Sequence, residues 1–388
     1  MASNPARVKK ELLTWGRQMS GMPAAIAAKK IGVSEDRLRE WEEGKSAPTI
    51  RQLRDIANTY KQSFAVFFLE EPPLVPKLPL KDYRRLPGSA THTISYEIVM
   101  DVRMAQDRRA ITLDLMALND VEPRRFDYKA TTKEKAEALA SRIRSDLGVT
   151  LEQQKKLRDP RKGFNFWRET LEQHNVLVYQ SSTIGTAEMR GYSIFEEFLP
   201  IIVVNRKDAE AARIFTMLHE LVHLYLRASG LCDLEPRTDI PPEEQRLEQY
   251  CNEVAAGILV PKEHFLKHKI LVKNADGEWT DDEIAALARD FCVSREMIAR
   301  RLVETNRADK VFYRDKRDQY LEDWEAQKSK KSSGFVPPAT DVISKGGHVL
   351  PELVIRSLKS RKIDSTSASE LLGVKLKHLP KIGQNLGY

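Results

Sequence analysis

The sequence has very little cysteine. Among its 388 residues only Cys232, Cys251 and Cys292 occur, and no two of them have Cys-x-x-Cys spacing. An odd number of scattered cysteines argues against a disulfide framework and fits a reducing compartment. The sequence therefore predicts a cytoplasmic protein whose fold depends on hydrophobic cores.

Long hydrophobic runs are missing as well. No apolar stretch reaches the roughly 18 residues that a membrane span needs. Met1 to Lys10 carries no apolar stretch after its charges, as a secretory signal would. We therefore expect no membrane partner. With 41% hydrophobic and 31% charged residues, the composition is that of a globular protein, and its length suits two or three domains.

Charge of one sign is only modestly in excess. Lysine and arginine total 63 and aspartate and glutamate total 56, which gives a net charge of +7. A basic balance suits a nucleic-acid partner, because neutralising phosphates drives that binding. A simple surplus of basic residues on a soluble protein gives the same balance, so charge alone leaves both interpretations open.

Proline is concentrated in two places that divide the chain. Residues 71–90 are rich in proline, which breaks helices and indicates an extended connector. The polar segment Lys328 to Gly334 precedes a second pair of prolines and indicates a flexible linker. We therefore predict an N-terminal domain at 1–70, a main domain at 91–327, and a basic linker with a helical tail at 328–388.

The order of elements in the main domain predicts an α+β fold with a small sheet. Helical spacing of apolar residues comes first, at Ile98 to Leu118 and Thr132 to Leu147. Segments rich in branched apolar residues follow and predict strands at Asn175 to Tyr179, Met189 to Ile194 and Leu199 to Val204. Helices then resume at Ala209 to Arg227, Pro242 to Leu259 and Asp281 to Glu304, the last with a turn before Ser294.

A metal-site pattern lies in the helical run Ala209 to Leu226. Residues 217–223 read MLHELVH, and residues four apart share one face of a helix, so His219 and His223 project side by side. Two imidazoles placed in this way can bind one metal ion. Glu220 can then act as the base that takes a proton from a water molecule at the metal.

The third ligand of such a site must come from another segment, because catalytic zinc sites have three protein ligands and one open position. Residues 248–261 read EQYCNEVAAGILVP, and Glu248 and Asn252 in this segment share a helix face. We predict Glu248 as the third zinc ligand, and Asn252 as the residue whose carbonyl oxygen orients a ligand histidine. Chance HExxH matches are common, and this downstream pair favours a true metal site.

Peptide hydrolysis also needs a donor for the oxyanion besides the metal. Tyr192, Arg190 and Tyr250 are the candidates; Tyr192 is the one assigned a catalytic role, although the sequence does not separate it from the other two. The segment Met189 to Ile194 contains Tyr192 and is a candidate edge strand that takes the substrate as an added strand.

The N-terminal domain has the pattern of a helix-turn-helix domain, which is all-helical. The expected helices are Leu12–Met19, Pro23–Lys30 and Glu35–Glu42, with a fourth that begins at Pro48-Thr49. Gly32 lies in the turn, Ser34 is a good N-cap, and Gly44 ends the third helix. Leu38 and Trp41 are expected to face the core.

The third helix is the expected recognition helix. Arg37 and Arg39 are its candidates for base contacts, because arginine reads guanine. Ser34 at the helix start, together with Lys29 and Lys30, completes the predicted DNA contacts. Acidic residues on the same helix oppose DNA binding, so a docking or homodimerisation domain is the alternative.

These segments resemble known families. Residues 213–226 (RIFTMLHELVHLYL) and 248–261 are similar to the ImmA/IrrE family of metallopeptidases, and the N-terminal segment resembles the Xre family of helix-turn-helix domains. The segments DYRRLP (Asp82 to Pro87) and MRGYSI resemble the longer members that fuse the two. The resemblance covers most of residues 10–305. At Cys251 a small residue such as alanine is usual in the family, which changes packing and not ligation.

The resemblance implies a zincin-like peptidase domain with zinc at His219, His223 and Glu248. It implies Glu220 as the base. The expected function is that of a DNA-binding transcriptional regulator whose zinc metalloendopeptidase domain cleaves a repressor or partner protein, in stress responses, mobile elements or toxin–antitoxin pairs. The alternative is an antitoxin or repressor that binds DNA and a toxin partner without proteolysis. The complete catalytic set leaves both open.

Overall fold

The structure is a computed structural model, and it describes residues 5–60, 62–73, 81–82, 95–186, 188–228, 230–232, 241–274, 277–330 and 336–388. Most of the predicted connector at 71–90 and residues 331–334 of the predicted linker lie outside the described residues. The chain forms two compact units. The first extends to Met104, and the second extends from Ala105 to Tyr388 and also includes Lys81–Asp82.

The first unit is helical, as the sequence predicts. Its elements are α1 (Lys10–Met19), α2 (Ala24–Ile31), α3 (Glu35–Glu43), α4 (Ile50–Tyr60) and a short 3-10 helix (Phe64–Phe68). The Ser34 hydroxyl accepts a hydrogen bond from the backbone N–H of Arg37 and so caps α3. Gly32 and Gly44 end α2 and α3 at φ angles of 84° and 77°, which favour glycine. Leu38 and Trp41 are buried in the core of the unit, as predicted.

The remaining elements follow in chain order. They are β1 (Lys81–Asp82), α5 (Tyr96–Leu118), α6 (Ala136–Asp146), α7 (Leu151–Leu157), α8 (Pro160–Gln173), β2 (Leu177–Ser181), β3 (Gly191–Ile194), β4 (Ile201–Asn205), α9 (Glu210–Tyr225), β5 (Gly230–Cys232), α10 (Pro242–Leu259), α11 (Lys262–Leu266), α12 (Lys269–Lys273), α13 (Asp281–Phe291), α14 (Arg295–Glu304), α15 (Lys310–Lys330), α16 (Pro338–Gly346), α17 (Val349–Lys359), α18 (Ser365–Leu372) and α19 (Leu379–Asn385). Many helices around a small sheet confirm the α+β class.

The sheet has the strand order β1-β5-β3-β4-β2. β2 is parallel to β4, with Tyr179 opposite Val203, while β3 is antiparallel to both β4 and β5. β3 is therefore an interior strand, and the expectation that Met189 to Ile194 forms an edge strand is wrong. β5, which covers this side of β3, has no strand signal in the sequence.

Strands β2, β3 and β4 are buried at every position. This explains their runs of branched apolar residues, since strands covered on both faces do not alternate with polar residues. β2 begins two positions later than predicted: Asn175 takes a left-handed backbone conformation (φ 63°) in the turn after α8. Helix α9 packs on β3 and β4, and α8 packs on α9 and β2.

The helices after residue 336 belong to the second unit. α16 packs on β2, and Ala339, Ile355 and Ile382 form a small core of their own. The Asn119 side chain donates a hydrogen bond of 2.6 Å to the buried Ser357 hydroxyl. α15 extends through Lys330, so the first residues of the predicted linker are helical. None of the helices in the described part of the chain is long and apolar enough to cross a membrane.

Candidate metal centre

Helix α9 holds the HExxH residues in the core of the second unit. Its sequence has no glycine or proline, and Glu210 in its first turn complements the helix dipole. Every residue from Arg213 to Tyr225 is buried, because the helix lies between the sheet on one side and α10 on another. This burial fixes the directions in which His219 and His223 project.

Helix α10 brings the third candidate ligand to α9. It starts with Pro242 in its first turn, a position where proline costs no hydrogen bond, and Glu243 and Glu244 follow at the positive end of the dipole. The half of the helix after Glu248 is apolar and packs on α9 and α6. This packing turns Glu248 toward the two histidines.

The three predicted ligands meet in one buried cluster. The Nε2 atoms of His219 and His223 are 3.1 Å apart. The Glu248 carboxylate lies 3.2 Å from the Nε2 of His219 and 3.3 Å from that of His223. Ligand atoms about 2.0–2.1 Å from a tetrahedral zinc ion are roughly 3.3 Å from one another, so these separations fit one ion.

The tautomer of His219 also fits a metal. Its Nδ1 lies 3.0 Å from Asn252 Oδ1, which only accepts hydrogen bonds, so the neutral ring carries its proton on Nδ1. The Nε2 of His219 therefore directs a lone pair toward the Nε2 of His223. Two imidazole nitrogens and a carboxylate suit zinc, although other divalent ions accept this donor set. The residues present fit a metal ion.

Glu220 lies beside this cluster and is fully buried. The Ser193 hydroxyl on β3 donates a 2.9 Å hydrogen bond to Glu220 Oε2. Its other oxygen, Oε1, has no hydrogen-bond partner among the described residues. Burial raises the pKa of the Glu220 carboxyl above its usual range, against the opposing effect of His223, His219 and Ser193. A carboxyl with a raised pKa and a free oxygen is suited to proton transfer.

The electrostatics of Glu248 are the opposite of those of Glu220. Burial opposes ionisation of this carboxyl, but His223 and His219 outweigh burial and hold its pKa below the usual range. Glu248 is therefore charged, as a ligand must be. The Cys251 thiol is 3.8 Å from His223 Nδ1, and burial raises the pKa of that thiol. A neutral thiol in this position packs beside the site.

Gly191 permits the close approach of β3 to α9. A β-carbon at this position would lie 2.5 Å from Thr216 Cγ2 and 3.0 Å from the Val203 carbonyl oxygen. It would also lie 3.3 Å from Glu220 Oε1. Sequence reasoning missed both Gly191 and Ser193, because their importance depends on which helix the strand packs against.

Two of the three oxyanion candidates have partners other than Glu220, and the third lies on the other face of β3. Successive side chains of a strand alternate between faces, so Tyr192 lies on the face of β3 opposite to that of Ser193. Arg190 forms an ion pair of 3.5 Å with Asp208, and Tyr250 donates a 3.0 Å hydrogen bond to the backbone carbonyl of Glu134. The catalytic role of Tyr192 stays a prediction that this placement does not favour.

The predicted DNA contacts all lie in the first unit. Lys29 and Lys30 are exposed at the end of α2. On α3, Arg37 pairs with Glu40 at 2.7 Å, and Arg39 pairs with Glu35 at 2.6 Å. Surface pairs of this kind are worth little, so both arginines can exchange their partners for phosphates or bases.

An HExxH helix packed beside a second helix that supplies a glutamate defines the metallopeptidase class. Comparison with family models agrees: residues 171–303 match the model described as the IrrE N-terminal-like domain, and residues 15–67 match a helix-turn-helix model. No curated protein and no solved structure matches the chain.

The match to the IrrE model includes His219, Glu220, His223 and Glu248, together with Asn252. The chain therefore joins an N-terminal helix-turn-helix domain to an IrrE-like peptidase domain, which confirms the resemblance to the fused members of the ImmA/IrrE family.

Proposed function

We propose that this protein is a DNA-binding transcriptional regulator whose second unit is a zinc-dependent peptidase acting on a repressor or another partner protein. The observation that carries the proposal is the buried cluster itself. It combines a three-donor metal set with a separate carboxylate, Glu220, that has one oxygen held by Ser193 and the other available. A purely structural metal site does not need this second carboxylate.

The residues of the cluster have separate roles in metal binding. His219, His223 and Glu248 would hold the ion, and Asn252 orients the His219 ring. When bound, a zinc ion supplies Lewis acidity toward a peptide carbonyl and lowers the pKa of a water molecule.

Glu220 is the proton carrier of the site. Its available Oε1 accepts the proton of the attacking water and returns it to the nitrogen of the leaving amine. The hydrogen bond from Ser193 keeps the other oxygen in place while this happens. Burial of the whole cluster excludes bulk water, so that these charges act at a low local dielectric.

A second candidate is an antitoxin or repressor that binds its partner without cleavage. The observation in its favour is on α3, where Arg37 and Arg39 are both paired with glutamates of their own helix. An acidic recognition helix suits docking to a protein as well as to DNA. A toxin partner, a homodimer and a cytoplasmic location all stay predictions.

The experiment that separates the two candidates is a Glu220→Gln strain of the native host. Glutamine cannot accept the proton, and general-base catalysis is typically worth about 10²–10⁴-fold. New protein N-termini, mapped by mass spectrometry under the activating condition, should appear with the wild type and disappear with Glu220→Gln. Glu243→Gln is the matched control, since Glu243 is an exposed glutamate at the start of α10. Unchanged regulation in the Glu220→Gln strain would favour binding without cleavage.

A further inference from the structure

A polar cavity of about 430 Å³ lies in the second unit, where α8 and α9 meet the C-terminal helix α16. The volume is in the range of small-molecule sites, about 300–1,000 Å³. Its lining includes four arginines, Arg161, Arg168, Arg206 and Arg213. Glu210 is the one carboxylate that lines it among the described residues. The cavity is separate from the metal centre, because none of the candidate ligands lines it.

Arg168 is the most unusual of the four. Its side chain is buried, with only 4% of the residue exposed. Nη1 donates hydrogen bonds of 3.2 Å to the carbonyl oxygens of Ile343 and Ser344 at the end of α16. Within the part of the chain that the structure describes, no carboxylate lies at ion-pair distance from this guanidinium, and its Nε has no hydrogen-bond partner. Buried charges are normally in direct ion pairs, whereas the nearest negative charges on this cation, those of Glu172 and Glu169, act only at longer range.

Arg213 approaches the cavity from α9, the helix that carries the HExxH residues. It is 8% exposed, pairs with Glu210 at 3.0 Å and donates a hydrogen bond to Gln180. Its Nε also has no hydrogen-bond partner in the described part of the chain. Burial lowers the pKa of both Arg168 and Arg213, as expected for cations that are short of negative charge. Among the described residues only Glu210 is at ion-pair distance from either guanidinium, while Glu172 and Glu169 act on Arg168, and Asp208 on Arg213, at longer range.

Two more arginines line the cavity, and the lining His348 lies 3.0 Å from the buried Glu172 carboxylate. Arg206 pairs with Asp341, which also pairs with Lys345 at 2.7 Å. Arg161 is exposed and forms no ion pair or side-chain hydrogen bond with any described residue. Phe164 forms an apolar wall, with the guanidinium carbons of Arg168 and Arg213 at 5.7 Å and 4.9 Å from its ring centre. Cation–π contacts of this kind offset part of the desolvation cost and leave the charge in place.

We propose that this cavity binds a small molecule through a phosphate group held by Arg161, Arg168 and Arg213. Guanidinium forks match phosphate oxygens, and a doubly charged anion balances the surplus better than a single carboxylate does. Phe164 and the aliphatic part of Ile343 supply the apolar surface that the rest of the ligand needs. Such a ligand would contact both α9 and α16, and so connect the helix of the metal centre with the C-terminal helices.

The test uses the full-length protein and pyrophosphate as the probe. Isothermal titration calorimetry compares pyrophosphate with inorganic phosphate and citrate, each against sodium chloride at equal ionic strength. We expect saturable binding of pyrophosphate. Arg161→Ala should weaken it by about tenfold or more, since a charge-assisted hydrogen bond is worth that much. Arg289→Ala removes the same charge from an exposed position outside the cavity and should leave affinity unchanged.

Three results would overturn the proposal. One is no heat beyond that of the chloride control. Another is equal weakening in the two variants, which would indicate general screening or binding elsewhere, such as at the helix-turn-helix unit. The third is tighter binding of citrate than of pyrophosphate, which would indicate a carboxylate ligand. Arg168→Lys is a second test variant. It keeps the charge but removes the planar guanidinium, and it should also weaken pyrophosphate binding.

Discussion

At the scale of single residues, the site depends on the hydrogen bond between Asn252 and His219, which lies on the side of the imidazole ring away from the candidate metal position. Asn252 accepts from His219 Nδ1 at 3.0 Å and thereby fixes the tautomer in which Nε2 is a ligand. An amide does this without adding negative charge. The candidate site consequently combines one carboxylate, Glu248, with one neutral orienting group.

The first prediction follows from this bond. Asn252→Ala should leave the fold intact and lower metal affinity by about 10–100-fold, the usual effect of losing an orienting partner. Competition with a chromophoric chelator measures the affinity. Asn252→Asp, which keeps an acceptor oxygen, should retain affinity close to that of the wild type. Equal affinity in the alanine variant would mean that His219 is oriented by packing alone.

At the scale of elements, the contact between β3 and α9 holds Glu220 in place. Ser193 faces α9 from this strand, and Gly191 allows the strand to come close. We expect Gly191→Ala to cost about 1–3 kcal/mol in the free energy of unfolding, because overpacking displaces Thr216 or the neighbouring strand. Chemical denaturation measures this cost.

Gly185→Ala is the matched control for that prediction. A β-carbon at Gly185 meets nothing within 4 Å among the described residues. The change should therefore leave the free energy of unfolding within about 0.5 kcal/mol of the wild type, as for most surface positions. If both variants were equally stable, the close approach at Gly191 would not be a constraint on the fold.

Helix α3 is the second element with a testable role. Replacing Arg37 and Arg39 together with alanine should weaken binding to the protein's own promoter and relax its sequence preference. Replacing Lys29 and Lys30 should instead weaken all DNA sequences similarly and reduce the dependence of affinity on salt. Gel-shift titrations at several salt concentrations measure both effects. No binding of promoter DNA by the intact protein at low salt would favour a docking role for this unit.

The sequence predicted those elements whose signals are local. The HExxH helix and its partner are set by four-residue spacing, and the α3 cap at Ser34 by a hydroxyl directly before the helix. The packing of segments that are far apart in the chain leaves no comparable pattern in the sequence. Residue type alone makes Tyr192 a candidate for catalysis, whereas the alternation of side chains along the strand turns Ser193 toward Glu220. The three residues of β5 carry no pattern, so β3 looked like an edge strand.

At the scale of the whole molecule, the chain has two units with separate cores, and the second contains more than the matched peptidase segment. For the C-terminal region the sequence predicts only a basic linker and a helical tail, without a place for the tail in the fold. In the structure the first of the C-terminal helices, α16, packs on β2, and its backbone carbonyl groups accept hydrogen bonds from Arg168. Short amphipathic helices do not reveal their docking surface from sequence, because the surface belongs to another part of the chain.

The central claim for the whole molecule is that His219, His223 and Glu248 bind one metal ion while Glu220 does not. The most direct measurement is the metal content of untagged protein by mass spectrometry of the elements. We predict about one zinc per chain for the wild type and for Glu220→Gln, because two imidazoles and a carboxylate form a catalytic zinc site. The exposed-histidine control His264→Ala should keep its zinc. His219→Ala and Glu248→Ala should each lose it, and full zinc retention in both of these variants would contradict the account.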